Sequence, residues 1–289
     1  MVMHDALLRL AFAGLAPRRV DSLVERFGTV EAAVSAIVSG GTGLDRAVVD
    51  EVAASATIRR HQLGTAGIDF MTRDQAEYPR RLADAALAPR WLFAVGDPSI
   101  ARAPTLAIVG TRACTTYGRD LAFAYGAVAA SMGWCVVSGL AKGIDGAAHE
   151  GSVSAGGRCV AVLGCGVDVV YPRRHRALYG AITACGGAVV SEFPPTTPPH
   201  AWRFPTRNRI IAGMADVVLV VEANASGGAL ITAGLALDMG VPVFATPGDV
   251  DRPASIGTNL LIRDGAFPIF GGDDLAEVLD LIVPGVPSR

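Results

Sequence analysis

Lysine is almost absent from this chain. Arginine fills 24 of the 25 basic positions, and the single exception, Lys142, lies in Ser138-Gly-Leu-Ala-Lys-Gly-Ile-Asp145, between a strand-like and a helix-like stretch. Also missing are any run approaching ~20 uninterrupted apolar residues and any basic start followed by an apolar stretch, so no membrane span or secretory signal is visible and a cytoplasmic protein is expected. Cysteine is scarce: the five, at 114, 135, 159, 165 and 185, are odd in number, and no two have the close spacing of a zinc knuckle or redox pair. No metal site is expected. There is no Walker loop and no GxGxxG fingerprint; Gly164-Cys-Gly166 follows a strand but lacks the third glycine and a well-spaced acidic partner, which argues against a dinucleotide. No cofactor is expected.

What is present is a globular composition, 51% hydrophobic and 18% charged over 289 residues, enough for one large domain with a small companion. The net charge of −2 is unevenly spread: residues 101–210 carry a net +6 and residues 211–289 a net −7. The middle of the chain is therefore the candidate for an anionic ligand, and the acidic end the candidate for solubility or a basic partner.

From Met3 to about Gly64 the apolar residues recur at helical intervals, as in Leu7, Leu8, Phe12, then Val20, Leu23, Val24, Phe27. Breaks at Gly14, Gly28 and Gly40-Gly41-Thr-Gly43 predict a small all-helical domain over 1–66, resembling SAM or helix-hairpin-helix modules. After Gly67 the pattern changes. Short apolar runs at 68–71, 91–95, 106–109, 135–137, 159–163, 188–190, 217–221 and 243–245 alternate with helix-length segments, predicting an α/β domain over 67–283 with a mostly parallel, doubly wound sheet. Residues 284–289 read as a tail.

In such sheets ligands bind beyond the carboxyl ends of the strands, and the chemically suggestive residues fall there. Gly110-Thr111-Arg112 follows one strand: the glycine lets backbone approach a ligand, and the guanidinium is a planar fork suited to phosphate. Ser138 and Gly139 follow the next, and Lys142 and Gly143 open a helix whose N-terminus favours an anion. Arg207, Asn208 and Arg209 lie in a helix beginning near Phe204, and Ser226-Gly227 again stands between strand and helix. The same glycine pairs would also serve as ordinary tight βα turns. Asp145 and His149, four residues apart, read as a hydrogen-bonded structural pair on one helix face rather than a metal or proton-transfer pair. Asp168, Tyr171 and Arg173-Arg174-His175-Arg176 form a further turn, whose basic residues are equally compatible with a solvated face.

Gly110-Thr-Arg112, Tyr117-Gly118, Ser138 to Asp145 with His149, Val162-Leu-Gly-Cys-Gly-Val-Asp168, Ser191-Glu-Phe-Pro194, Phe204-Pro-Thr-Arg-Asn-Arg-Ile-Ile-Ala-Gly213 and Pro247-Gly248 occur in an order similar to that of the DNA-processing protein A (DprA/Smf) family. The resemblance runs across about 77–270. It implies an extended Rossmann-like domain that binds and protects single-stranded DNA in natural transformation and loads RecA recombinase onto it. It implies a homodimer and no established catalysis. By that resemblance Arg112, Lys142, Arg207 and Arg209 line a basic pocket for DNA phosphates, with Gly110, Thr111, Ser138, Gly139, Gly143, Asn208, Ser226 and Gly227 in close contact. Aromatics are few, with Tyr117, Tyr171, Trp202 and Phe204 near the motifs, so backbone capture should outweigh base stacking.

The chain departs from the family where Ala113-Cys-Thr-Thr116 replaces a serine-rich turn and where Ser226-Gly-Gly-Ala-Leu-Ile-Thr232 is one residue longer. The C-terminal winged-helix-like domain of many members is not expected here. A rival reading is an enzyme resembling nucleotide phosphoribohydrolases, but their Pro-Gly-Gly-x-Gly-Thr-x-x-Glu pattern is incomplete, leaving Glu192 and Glu222 as candidate acids.

Overall fold

The computed structural model describes residues 3–286, so 287–289 of the expected tail lie outside the described residues. Five short helices come first: α1 (Met3–Phe12), α2 (Pro17–Phe27), α3 (Val30–Val38), α4 (Arg46–Ala53) and α5 (Ala56–Thr65). Local chemistry sets their ends. Pro17, with no N–H to satisfy, opens α2; Gly28 closes it at φ +83°; Thr29 then caps α3, its hydroxyl oxygen accepting from the Ala32 N–H at 3.1 Å. The apolar stripes of these helices converge on a cluster containing Leu8, Leu23 and Ile37, and Trp91, Phe93 and Val167 of the following α/β region belong to it too. The helical unit is thus seated on the sheet.

That sheet has nine strands: β1 (Asp69–Thr72), β2 (Trp91–Gly96), β3 (Thr105–Val109), β4 (Cys135–Ser138), β5 (Cys159–Val162), β6 (Ala188–Ser191), β7 (Val217–Val220), β8 (Val243–Ala245) and β9 (Phe267–Pro268). Their order is β1-β2-β6-β5-β4-β3-β7-β8-β9. β2 pairs antiparallel with both β1 and β6, and every other pairing is parallel. The eight expected strands are present. β9 was not expected, because two residues ending in proline carry no periodic signal.

The remaining helices are α6 (Arg80–Asp84), α7 (Thr116–Ser131), α8 (Ile144–Ser154), α9 (Arg176–Ala184), α10 (Arg203–Met214), α11 (Gly228–Asp238), α12 (Pro253–Arg263) and α13 (Gly272–Ile282). Strand β3 shows how they attach. Leu106 and Ile108 join the cluster under α7 and α8, while Ala107 and Val109 join the one under α10 and α11. Burial on both faces explains why such strands read as continuous apolar runs. Connections leave β3 toward β4 on one side, and β7 lies on its other side, so the chain order reverses between β3 and β7. At that switch point the loops beyond the strands diverge and leave a crevice. No helix among the described residues is long and apolar enough to cross a membrane.

Candidate nucleic-acid interface

The crevice at the switch point has a volume of about 390 Å³. Gly110, Thr111 and Arg112 enter it from the β3 loop, Phe204, Arg207 and Asn208 from α10, and Gly227 from the β7 loop. Arg112 is exposed, its guanidinium lying 4.6 Å from the Phe204 ring centroid, and Phe204 stacks on Tyr171 at 5.5 Å and 28°. Cation–π contact holds the guanidinium in place without neutralising it. Among the described residues, none of the ion pairs involves Arg112, Lys142, Arg173, Arg174 or Arg176.

Arg207 behaves differently. Its side chain is only 4% exposed and faces Asp145, Nη2 to Oδ2 at 3.7 Å. Its Nη1 donates to the Gly139 carbonyl at 2.8 Å and to that of Val162, and its Nε to Asn208 Oδ1 at 3.1 Å. Glycine at 139 leaves the space that the Arg207 guanidinium fills, since a Cβ there would displace it. Burial works against both charges, pushing Asp145 up and Arg207 down, and each is the main support of the other's ionised form. Arg207 therefore braces the crevice from within.

The helix N-termini at the crevice carry carboxylates of their own. Asp145, in the first turn of α8, accepts from the Gly139 N–H at 3.2 Å. Glu222 accepts from the Thr115 N–H at 2.9 Å and its hydroxyl at 2.5 Å, at the start of α7. The bare helix-terminus anion site expected from the sequence is thus already part-occupied, and free positive charge resides in the exposed side chains.

A second furrow, about 370 Å³, continues from Arg112 past Arg119, Gly143, Arg174 and His175. Gly143 holds φ +80° with its α-carbon against the Thr111 carbonyl, where a Cβ would clash, and its exposed neighbour Lys142 stands beside the furrow. Arg119 pairs with Glu150 at 3.3 Å, a surface pair that contributes little. Sequence reasoning did not select Arg119 or Arg174; the Arg173-to-Arg176 run was the available signal.

The sequence profile described as DNA recombination-mediator protein A matches residues 69–280. This chain belongs to that family. The match begins with β1 and ends inside α13, so it spans all nine strands. The chain is 40% identical over 215 residues to Protein Smf of Escherichia coli (strain K12), covering 74% of this chain and 58% of that protein. It is 39% identical over 214 residues to DNA processing protein DprA of Bacillus subtilis (strain 168), covering 74% and 72%. The crystal structure of DprA from Streptococcus pneumoniae superposes with a TM-score of 0.79 at 31% identity, covering 96% of this chain and 98% of that one. A Helicobacter pylori DNA processing protein A structure, described for its single-stranded DNA binding mode, gives 0.64 at 27% identity over 73% and 95%.

Not every residue that the family resemblance selected lies in the crevice. Two positions along a helix turn the side chain by about 200°, so Arg209 points away from Arg207 and into a different cavity. There its Nη2 meets both oxygens of buried Glu192, at 2.7 and 2.8 Å. Burial pushes the Glu192 carboxyl up, and Arg209 is the main opposing influence. The expectation of Arg209 beside the other phosphate-directed arginines is thereby corrected. Ser138 is fully buried and donates to the Ile108 carbonyl at 2.6 Å, which makes it a tie between β4 and β3. Ser226 is exposed at the end of the β7 loop.

The expected Asp145–His149 hydrogen bond does not form. Both His149 ring nitrogens are buried with no hydrogen bond of good geometry, and burial, opposed by the nearby Ser138 backbone and aided by His175 and Arg207, pushes the ring down to about 3. His175 instead contacts the Leu140 carbonyl through Nδ1 at 3.0 Å. The candidate acids are both engaged, Glu192 with Arg209 and Glu222 with Thr115.

Proposed function

We propose that this protein binds single-stranded DNA by its backbone along the crevice and the adjoining furrow, and hands the strand to RecA during transformation or recombination. The observation that carries the reading is that the exposed, unpaired Arg112 lines both of two hollows at the strand ends and the exposed, unpaired Arg174 lines the second, with exposed Lys142, Arg173 and Arg176 adjoining Gly143, Arg174 and His175 of that second lining in the sequence. Their positive charges would be matched by phosphates, and release of condensed counterions would drive binding. In this reading Thr111, Asn208 and Gly227 line the strand's path, Ser226 offers a peripheral hydroxyl, and Gly110 and Gly143, packed against Ile144 and the Thr111 carbonyl, join Arg207, Ser138 and Gly139 in keeping the crevice in shape. The protein acts in the cytoplasm as a non-catalytic mediator. The H. pylori relative described with single-stranded DNA supports the ligand class.

A homodimer is part of the reading. Phe267, in the two-residue edge strand β9, and Phe270, two residues beyond it, are 67% and 74% exposed, and a second copy would cover both them and the edge. RecA would meet the acidic end of the chain, where α13 carries Asp273, Asp274, Glu277 and Asp280.

Gel shifts with oligothymidylate and a duplex of equal length, at several salt concentrations, test the binding. Preferential, salt-sensitive binding of the single strand is expected, and equal or tighter duplex binding contradicts it. RecA filament formation on the strand should then accelerate with the protein present. Release of free base from nucleoside monophosphates would favour an enzyme instead.

A further inference from the structure

A separate cavity of about 450 Å³ lies across α10 from the crevice. Val20 of α2, Leu87, Trp91, Trp202 and Ile231 and Leu235 of α11 supply apolar wall. Pro205 lines both hollows, so the first turn of α10 is the ridge between them. The cavity's charged groups sort into two kinds. Arg209 is neutralised by Glu192, and Arg90 by Asp21 at 2.7 Å. Arg18 is exposed and forms no ion pair among the described residues.

A neutral interior with apolar walls gives a phosphate nothing to balance its charge. It fits an uncharged planar ring with hydrogen-bond acceptors, and the free cation fits the single negative charge of one adjoining phosphodiester. Arg209 adds a buried Nη1 that has no hydrogen-bond partner in the protein. Trp202 is half-exposed and braced edge-on by Phe193, with ring centroids 6.2 Å apart; the Arg203 guanidinium lies over one face of its ring, 5.0 Å from the centroid, which leaves the opposite face for a base.

We infer that this cavity receives one nucleobase of a strand whose backbone lies in the crevice, the base resting against Trp202 and its phosphate near Arg18. The inference rests on the strand binding proposed above. A strand crossing the Pro205 ridge would pass from phosphate capture on one side to base capture on the other, and the helical unit, through α2, would complete the base site.

The test walks 2-aminopurine through an end-labelled oligothymidylate bound to the full chain, reading 2-aminopurine fluorescence for the base and anisotropy for the strand. One position should be quenched several-fold more than its neighbours. That excess should disappear in Trp202→Ala and in Ala88→Phe, which fills the cavity, while anisotropy still reports a bound strand at saturating protein. Uniform quenching, or an excess that survives both substitutions, overturns the base site and leaves strand binding intact. No anisotropy change with the wild-type chain overturns strand binding and the base site together. Should Ala88→Phe fail to fold, Trp202→Ala, at a half-exposed ring, decides alone.

Discussion

Arg207 and Asp145 face each other inside the crevice, Nη2 to Oδ2 at 3.7 Å, with almost no solvent access to either. Through Gly139 and Val162 the same guanidinium ties α10 to the ends of β4 and β5. An arginine that sequence pattern assigns to a phosphate is thus occupied in holding the hollow open.

Replacing Arg207 should therefore cost stability, whereas replacing Arg112 should cost affinity. Arg207→Ala leaves a buried carboxylate unpaired, an effect of about 3–5 kcal/mol. Arg112→Ala, at an exposed side chain, should stay within about 0.5 kcal/mol of wild type while binding oligothymidylate more weakly. Urea unfolding and fluorescence anisotropy on both variants check the separation.

Gly139→Ala should destabilise the fold by about 1–3 kcal/mol, the usual range for overpacking. Its new Cβ would displace the Arg207 guanidinium. A matched change at Gly180, where a Cβ meets nothing, should cost less, and thermal melts of the two variants make the comparison.

His149 should make the protein acid-sensitive. Its folded value, about 3, lies below the ordinary 6.5, so the unfolded chain takes up the proton more readily. The stabilisation is complete above pH 6.5 and is lost as pH falls toward 3, by up to about 1.4 kcal/mol per pH unit. His149→Leu should unfold with a shallower acid limb, seen in melts from pH 7 to 4; an unchanged limb would show that other groups set it.

Arg174→Ala should weaken strand binding and flatten its log–log salt dependence by about 0.7, the share of one single-strand phosphate. Arg209→Ala should instead destabilise the fold, because it leaves Glu192 buried and unpaired. Salt titrations of affinity together with unfolding curves separate the two arginines.

Strands β2 to β8 were legible because apolar runs buried along most of their length leave a strong local signal, and β1, only half-buried at the sheet edge, from the short apolar stretch 68–71. β9 was not: Phe267-Pro268 is too short to show a period, and its pairing depends on β8 far away in the chain. The crevice itself was legible from Gly110-Thr-Arg112 and from Gly227, since strand-end glycines mark close backbone approach. Side-chain direction was not. Arg207 and Arg209 share a motif but lie on opposing sides of α10, and only the position of Glu192 reveals which hollow claims Arg209. Likewise Asp145 and His149 have helix-face spacing, yet Asp145 turns toward Gly139 and Arg207. Thr115, one of two hydroxyls retained in the departure at 113–116, is turned inward to Glu222.

The most direct test of strand capture by unpaired cations is the salt dependence of oligothymidylate affinity in the Arg112→Ala/Lys142→Ala double variant. Loss of two phosphate contacts predicts weaker binding and a log–log slope shallower than wild type by about 1.4, with Lys142→Arg alone binding like wild type. Wild-type affinity and slope in the double variant would contradict the account.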